Sequence, residues 1–378
     1  MLNRLPRLSL LKLVTIVLVV VVSGGIMKAN WMPMNQDALP TLRELADRNN
    51  LSLGAAVYTY HLSNSTHVET LSREFNTLTP EHEAKHCEIE RQRGIFDFSD
   101  FDQLVAFAEA NDMEVHGHTL VWHSCMPRWI ENGDFSREEA IGLLRDYIYT
   151  MVGRYKGRIP VWDVVNEGVD DSGNGLRETP WLRLIGDDYI DLAFQFAHEA
   201  DPDAKLLYND YGAEGINAKS NAIYELVKDM LERGIPIHGI GLQAHLILGS
   251  VDEESIAENV QRFGELGLEV QFTELDVRYP GNASSTMLNW QAGDFRRVMD
   301  VCLNSEYCTG YITWGVTDTY TWLRGTNLGF YENTSVRPLL FDEDYQPKPA
   351  YFAVLDALAR KAGEQPILSD EEVTKMLG

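Results

Sequence analysis

Eight short apolar runs recur along the chain, and between them lie segments with helical periodicity. The runs cover 51–58, 75–79, 114–120, 161–166, 205–209, 239–244, 270–274 and 310–316. The helical segments include 101–111, where Phe101, Leu104, Val105 and Ala108 fall on one face at 3.6-residue spacing. Ser136 and Glu139 form a capping box ahead of a helix over 141–155. Further helical patterns cover 190–200, 222–231, 256–266, 295–303 and 350–359. A run that short cannot bury itself, and strict alternation with helices calls for a parallel sheet covered by them. Eight units with no linker between halves predict an α/β chain folded as one (β/α)8 barrel. An open dinucleotide-binding sheet is disfavoured, because no Gly-x-Gly-x-x-Gly follows the first run. The expected layout is a leader over 1–30, a single catalytic domain over 31–365 and a C-terminal tail over 366–378.

In such a barrel the site lies where strands end and βα loops begin. The run 159–165 ends in Asn166-Glu167, and the run 268–272 ends in Thr273-Glu274-Leu275-Asp276. Two carboxylates brought to one rim can act as acid and nucleophile on a glycosidic bond. The other ends carry the groups that bind sugars, namely carboxylates, imidazoles, amides and indoles. The second gives Glu81 and Lys85, the third His118 and Trp122, the fifth Asn209-Asp210-Tyr211, the sixth Gln243 and His245. The eighth gives Trp314, with Trp322 beyond it. One such residue has a packing explanation, but seven rim-facing ends in succession do not.

Charge narrows the partners. A formal net charge of −25 repels nucleic acid and anionic membranes, and it disfavours strongly anionic polysaccharides. A neutral glycan fits. No cofactor is needed, and no ligand spacing points to a catalytic metal; a monomer is expected. At the N-terminus Arg4, Arg7 and Lys12 precede the apolar run 13–22 and the small residues Ser23, Gly24 and Gly25. That order reads as a signal peptide, and so as a secreted, extracellular or periplasmic protein. The alternatives are a retained anchor, leaving the protein at a membrane facing outward, or a buried helix. Export allows disulfides. Cys302 and Cys308 flank a helix-to-strand turn that a bridge could clamp, whereas Cys87 and Cys125 are open to either a bridge or two buried thiols. A zinc site has no Cys-x-x-Cys to support it. Asn-x-Ser/Thr sequons stand at Asn64, Asn282 and Asn333.

The motifs G-H-T-L-V-W-H, W-D-V-V-N-E, N-D-Y, Q-x-H-L, T-E-L-D and T-W-G, with the closing P-L-L-F-D and P-K-P-A-Y, resemble glycoside hydrolase family 10, the endo-β-1,4-xylanase family. The resemblance covers roughly 39–358, in the family's order and spacing. It implies endo-acting, retaining hydrolysis of xylan and xylo-oligosaccharides. It places the acid/base at Glu167 and the nucleophile at Glu274. It suggests Asn166 for the 2-hydroxyl of the sugar at the cleavage point. His118, Trp122, Gln243 and His245 would line that subsite, with Trp314 and Trp322 as its apolar walls and Glu81 and Lys85 gripping the next sugar. It also suggests a disulfide at Cys302 and Cys308, since some members carry one there.

One loop departs from the family. Where members usually read P-E-N-x-M-K-W, this chain reads Pro80-Glu81-His82-Glu83-Ala84-Lys85-His86. His82 and His86 replace an amide and an indole, so a weaker hold on the distal sugar is expected. The chemistry itself follows from physics. The charge on Glu274 disfavours ionisation of Glu167, which can then donate a proton to the leaving oxygen. Carboxyls about 5–5.5 Å apart give a covalent intermediate and net retention. His245 and Asp276 are both candidates for supporting Glu274. A β-1,4-glucanase on the same site is the nearest rival, separated by assaying xylan against cellulose. A carbohydrate-binding protein without catalysis would be expected to lack one of the two glutamates.

Overall fold

The computed structural model describes residues 39–279, 284–324 and 336–378. The leader 1–30 and the sequons at Asn282 and Asn333 lie outside them. Nine strands run in order β1 Ser52–Val57, β2 Thr77–Pro80, β3 Glu114–Trp122, β4 Val161–Asn166, β5 Lys205–Asp210, β6 Gly239–Leu242, β7 His245–Ile247, β8 Glu269–Arg278 and β9 Cys308–Thr313. The helices are α1 Leu42–Arg48, α2 Ser65–Glu74, α3 His86–Ile89, α4 Ser99–Ala110, α5 Arg128–Glu131, α6 Arg137–Arg154 and α7 Pro180–Ile185, followed by α8 Tyr189–Ala200, α9 Ala218–Glu232, α10 Glu253–Glu265, α11 Ser285–Asn304, α12 Pro349–Lys361 and α13 Asp370–Leu377.

All named pairings are parallel. Sheet order runs β6-β5-β4-β3-β2-β1-β9-β8, and β6 also pairs β8, which closes an eight-stranded barrel. The expected (β/α)8 fold is the one observed. The sixth run does not continue as one strand. It breaks at Gln243-Ala244, with Ala244 at φ 60, and resumes as β7 on the outer half of β8. That break turns His245 toward the barrel mouth.

Closure is reinforced from below. Glu74 at the end of α2 accepts from Leu42 N (3.0 Å) and Tyr351 Oη (3.1 Å), tying the first and twelfth helices to one buried carboxylate. The capping box predicted at Ser136 and Glu139 starts α6. The stretch 366–378, read as a tail, holds α13, which has its own capping box at Ser369 and Glu372. Met376 of this helix is buried, and a Cβ on Gly293 of α11 would meet its carbonyl at 2.1 Å. Asp356 fixes the approach by accepting from Ile367 N and Leu368 N (2.8 and 2.9 Å) while paired with Arg296 at 2.7 Å. Residues Leu39–Gly378 form one compact unit. Among the described residues no helix is long and apolar enough to cross a membrane. Asn64 is occupied as the N-cap of α2, with its amide nitrogen 3.1 Å from Tyr345 Oη.

Both cysteine pairs are bridged. Cys302–Cys308 joins the end of α11 to the start of β9, as expected, with Cα atoms 5.0 Å apart. Cys87–Cys125, the pair left open by the sequence, is bridged with Cα atoms 5.1 Å apart.

Candidate active site

The strand ends converge on a cleft of about 590 Å³. Glu81, Lys85, His118, Trp122, Asn166, Glu167, Gln243, His245, Glu274, Trp314 and Trp322 all line it. Register explains the convergence. Asn166 stands opposite Trp122 on β3 and Asn209 on β5, so three neighbouring strands end at one level. Two glycines make room behind them. A Cβ on Gly117 would meet the Trp162 ring at 2.3 Å, and one on Gly241 would meet Asn209 Oδ1 at 2.2 Å.

Glu274 is buried midway along β8, which continues four residues beyond it to Arg278, and both its oxygens are engaged. Oε1 accepts from Asn209 Nδ2 at 2.8 Å, and Oε2 lies 3.1 Å from His245 Nε2. Asn209 is itself fixed, since its Oδ1 accepts from Thr273 Oγ1 at 2.6 Å. Asp276 supports from behind. It is fully buried, with Oδ2 3.1 Å from His245 Nδ1 and accepting from Trp322 Nε1 at 2.7 Å. His245 and Asp276 were both candidates for holding Glu274. The geometry makes His245 the contact and Asp276 the group that orients it. Burial works against charge on His245, but the carboxylates of Asp276 and Glu274 outweigh it and hold the imidazolium up to about 10. Burial likewise pushes Glu274 upward, yet the positive field of His118, His245 and Lys85 keeps its carboxyl below the usual range.

Glu167 follows β4 with its backbone in the left-handed region (φ 59), and its N–H donates to Asn209 O at 2.9 Å. Its Oε1 accepts from Gln243 Nε2 at 3.2 Å, and Asn166 Nδ2 is 3.4 Å away. Gln243 Nε2 and Asn209 Nδ2 both donate to Asn166 Oδ1 at 3.0 Å. A single amide network therefore runs from Glu167 through Gln243, Asn166 and Asn209 to Glu274. His118 is set by Asp163, 2.8 Å from its Nδ1, and the His118–Thr119 peptide is cis.

Lys85 lies under the indoles, 4.5 Å from the Trp122 ring centroid and 5.8 Å from that of Trp314. Burial lowers Lys85, against the carboxylates around it. Burial raises Glu81 to about 8, with Lys85 opposing and Glu83 and Glu274 adding. Neither replaced position in this loop faces the cleft lining. His86 is buried, stacked on Tyr147 with ring centroids 3.5 Å apart, and its Nε2 is 3.0 Å from Glu90. His82 points to Glu88 (3.0 Å) in an adjoining cavity of about 600 Å³ that shares Tyr58 with the cleft. The expectation that both histidines sit beside the distal sugar is corrected for His86, whose place is the helix-packed core.

Sequence reasoning passed over Tyr58, Arg278 and Gly212 in the lining, and noted Tyr211 only as a strand end. It likewise noted His123, whose Nδ1 lies 3.9 Å from Glu167 Oε2, as a strand end without a role. The signal for His123 was present, as the last letter of the third-strand motif; Tyr58 and Arg278 carry none beyond standing at strand ends.

A family model described as glycosyl hydrolase family 10 matches residues 41–357. An endo-1,4-beta-xylanase B of Thermotoga neapolitana is 42% identical over 328 residues, covering 86% of this chain and 93% of its own length. The crystal structure of native xylanase 10B from Thermotoga maritima is similar at TM-score 0.82 and 43% identity, over 86% of this chain and all of that one. Xylanase 10B of Thermotoga petrophila in complex with xylobiose is similar at the same TM-score, 0.82, and 43% identity, over 85% of this chain and 98% of that one. The strand-end motifs, the closed barrel and these likenesses agree, and the chain belongs to glycosyl hydrolase family 10.

Proposed function

We propose that Glu274 is the nucleophile and Glu167 the acid/base of an endo-1,4-β-xylanase that cleaves xylan with retention. The observation that carries this reading is the amide network joining two glutamates of unlike environment, one of them held low by surrounding positive charge. Glu274 attacks the anomeric carbon while Glu167 gives its proton to the departing oxygen. Ester formation removes the negative charge of Glu274, and the His245 imidazolium retains Asp276 as its counter-charge. Glu167, now a carboxylate, takes a proton from water, which attacks the anomeric carbon from the face the leaving sugar vacated and breaks the ester bond, releasing Glu274 as a carboxylate. Asn166 offers an amide donor toward the sugar, and Gln243 holds both Asn166 and Glu167 in place; Trp122, Trp314 and Trp322 give apolar faces for its ring. The substrate class is supported by the xylobiose held by the similar Thermotoga petrophila enzyme. Proton NMR of the first minutes of xylo-oligosaccharide hydrolysis tests the roles: the β-anomer must appear first, and an α-anomer would remove Glu274 as nucleophile.

We further read 1–30 as an export signal and the working protein as a secreted or periplasmic monomer, with a membrane-anchored form as the alternative. Three basic residues ahead of the apolar run and two disulfides support export. N-terminal sequencing and size-exclusion of protein recovered outside the cell check both points; an intact N-terminus on cell-retained protein would overturn the cleaved form.

A further inference from the structure

The bridge Cys87–Cys125 has a third member beside it. A ring nitrogen of His82 and the two sulfurs all lie within 4.8 Å of one another. Glu88 adjoins them, with Oε1 3.0 Å from His82 Nε2 and 3.8 Å from Cys87 Sγ. No short-range spacing announces this group, because Cys87 and Cys125 are 38 residues apart and meet only through packing of the second and third βα loops.

We infer that the dithiol form of this pair, with His82, is a binding site for a zinc-class divalent cation, Glu88 standing as its fourth donor. Two thiolates and an imidazole are the donor set that tetrahedral zinc selects. With metal–ligand distances of about 2.0–2.3 Å, the donors of such a site stand roughly 3.3–3.8 Å apart. The donors here lie within 4.8 Å of one another, so the ring nitrogen has up to about an ångström to close to reach that span. On reduction the sulfurs separate, which Cα atoms 5.1 Å apart leave to side-chain rotation, and the His82 ring swings toward them. The surroundings favour a cation. Glu83 Oε2 accepts from His82 N at 3.3 Å, and Glu88 is also paired with Arg91, which holds its carboxylate beside the ring. Part of the group is open to solvent, since the His82 side chain is 39% exposed.

The two forms exclude one another. A dithiol or phosphine reductant supplies two electrons to the S–S bond and two protons yield two thiols; the cation then displaces those two protons. Either link serves the same mechanical end. Cys87 is two residues past Lys85 and Cys125 three past Trp122, so an S–S or an S–metal–S link ties together the segments that carry this stacked pair.

The test uses the full chain, reduced anaerobically with a trialkylphosphine, freed of reductant, and titrated with Co²⁺ followed by Zn²⁺ displacement. The reduced wild type should take up one Co²⁺ with the ligand-field and charge-transfer bands of tetrahedral thiolate coordination, and one Zn²⁺ should bleach them. Cys302→Ser/Cys308→Ser should do the same, which assigns the sulfurs. Cys87→Ser/Cys125→Ser should lose the bands, and His82→Ala should bind at least tenfold more weakly. Circular dichroism confirms that each reduced protein is folded. A folded, reduced wild type or Cys302→Ser/Cys308→Ser protein without thiolate bands would overturn the site, as would bands that survive Cys87→Ser/Cys125→Ser.

Discussion

The two carboxylates at the barrel mouth share one hydrogen-bond network but are held in opposite ways. Glu274 is buried, with a donor on each oxygen and a further group behind each: Thr273 behind Asn209 and Asp276 behind His245, while His118, 3.9 Å from Oε1, is held in turn by Asp163. Glu167 sits on a left-handed backbone at the cleft wall, with longer contacts of 3.2 and 3.4 Å at one oxygen. Its other oxygen faces His123 at 3.9 Å. A group that must stay charged and aimed gains from a rigid cationic shell. A group that must release a proton and then take one back is served by a sparse shell, because strong donors would fix one protonation state. The left-handed φ at Glu167 is a local strain of the kind found where function fixes a side chain.

Removing each carboxylate is the most severe way to break this contrast. Glu274→Ala should lower turnover by roughly 10⁴-fold or more on every substrate. Azide, entering the vacated space, should restore turnover as an α-glycosyl azide, read by NMR. Glu167→Ala should be selective. Xylan hydrolysis should fall by about 10²–10⁴-fold, while the first step on an aryl xyloside with a good leaving group should survive, because that departure needs no proton. Stopped-flow measurement of aryl release decides it. Equal loss in that step for both variants would show that the two shells do not mark two roles.

How much of this contrast is written in the chain depends on where a residue lies. Residues at strand ends are legible, since alternation fixes the barrel and the barrel fixes its rim. Glu167, Glu274, Asn166 and Gln243 all follow from that rule. What the rule cannot reach is which way a side chain turns once the strand has ended. His86 begins α3, one residue after Lys85, and that one step carries it from the cleft to the ring of Tyr147. The pairing of Cys87 with Cys125 depends on two loops packing, and no local pattern records it. The break before β7 was hidden as well, because 239–244 reads as one apolar run while Ala244 adopts a left-handed turn. α13 was overlooked for a simpler reason: its apolar face is short, and only packing on α11 shows its use.

A milder change sharpens the contrast by thinning the shell of Glu274 alone. His245→Asn removes both a hydrogen bond and a positive charge from that carboxylate. Since His245 helps hold Glu274 low, the variant's Glu274 should rise, and the acid limb of kcat/KM should move to higher pH. Stability should respond with its own sign. His245 is raised from 6.5 to about 10, so its contribution is complete below pH 6.5 and is lost as pH rises through about 10. The wild type should therefore lose stability across that window in denaturant titrations, and His245→Asn should show a flatter profile. An unmoved acid limb would mean that Asn209 and His118 suffice to hold the charge.

The smallest effect is expected where the chain departs most visibly from its family. Replacing an amide and an indole by His82 and His86 reads, from sequence, as a loss of grip on the distal sugar. The structure relocates both side chains. His82 bonds Glu88 in the neighbouring cavity, and His86 is packed between Tyr147 and the helices around it with Glu90 as partner. Neither lines the cleft that holds Glu274. His82→Asn should then change kcat and KM on xylotetraose by no more than about twofold, since a side chain that does not meet the sugar cannot bind it differentially. His86→Trp should act on stability instead. The larger ring has to enter a filled slot, at about 1–3 kcal/mol for overpacking, and Glu90 loses a buried partner. A fall in Tm with kinetics of the folded protein unchanged is the expected pair of results. If His82→Asn instead lowers KM several-fold at constant kcat, the His82 ring reaches the bound glycan. The boundary between the cleft and the adjoining cavity would then be a subsite wall, and the sequence departure would be a change in grip after all.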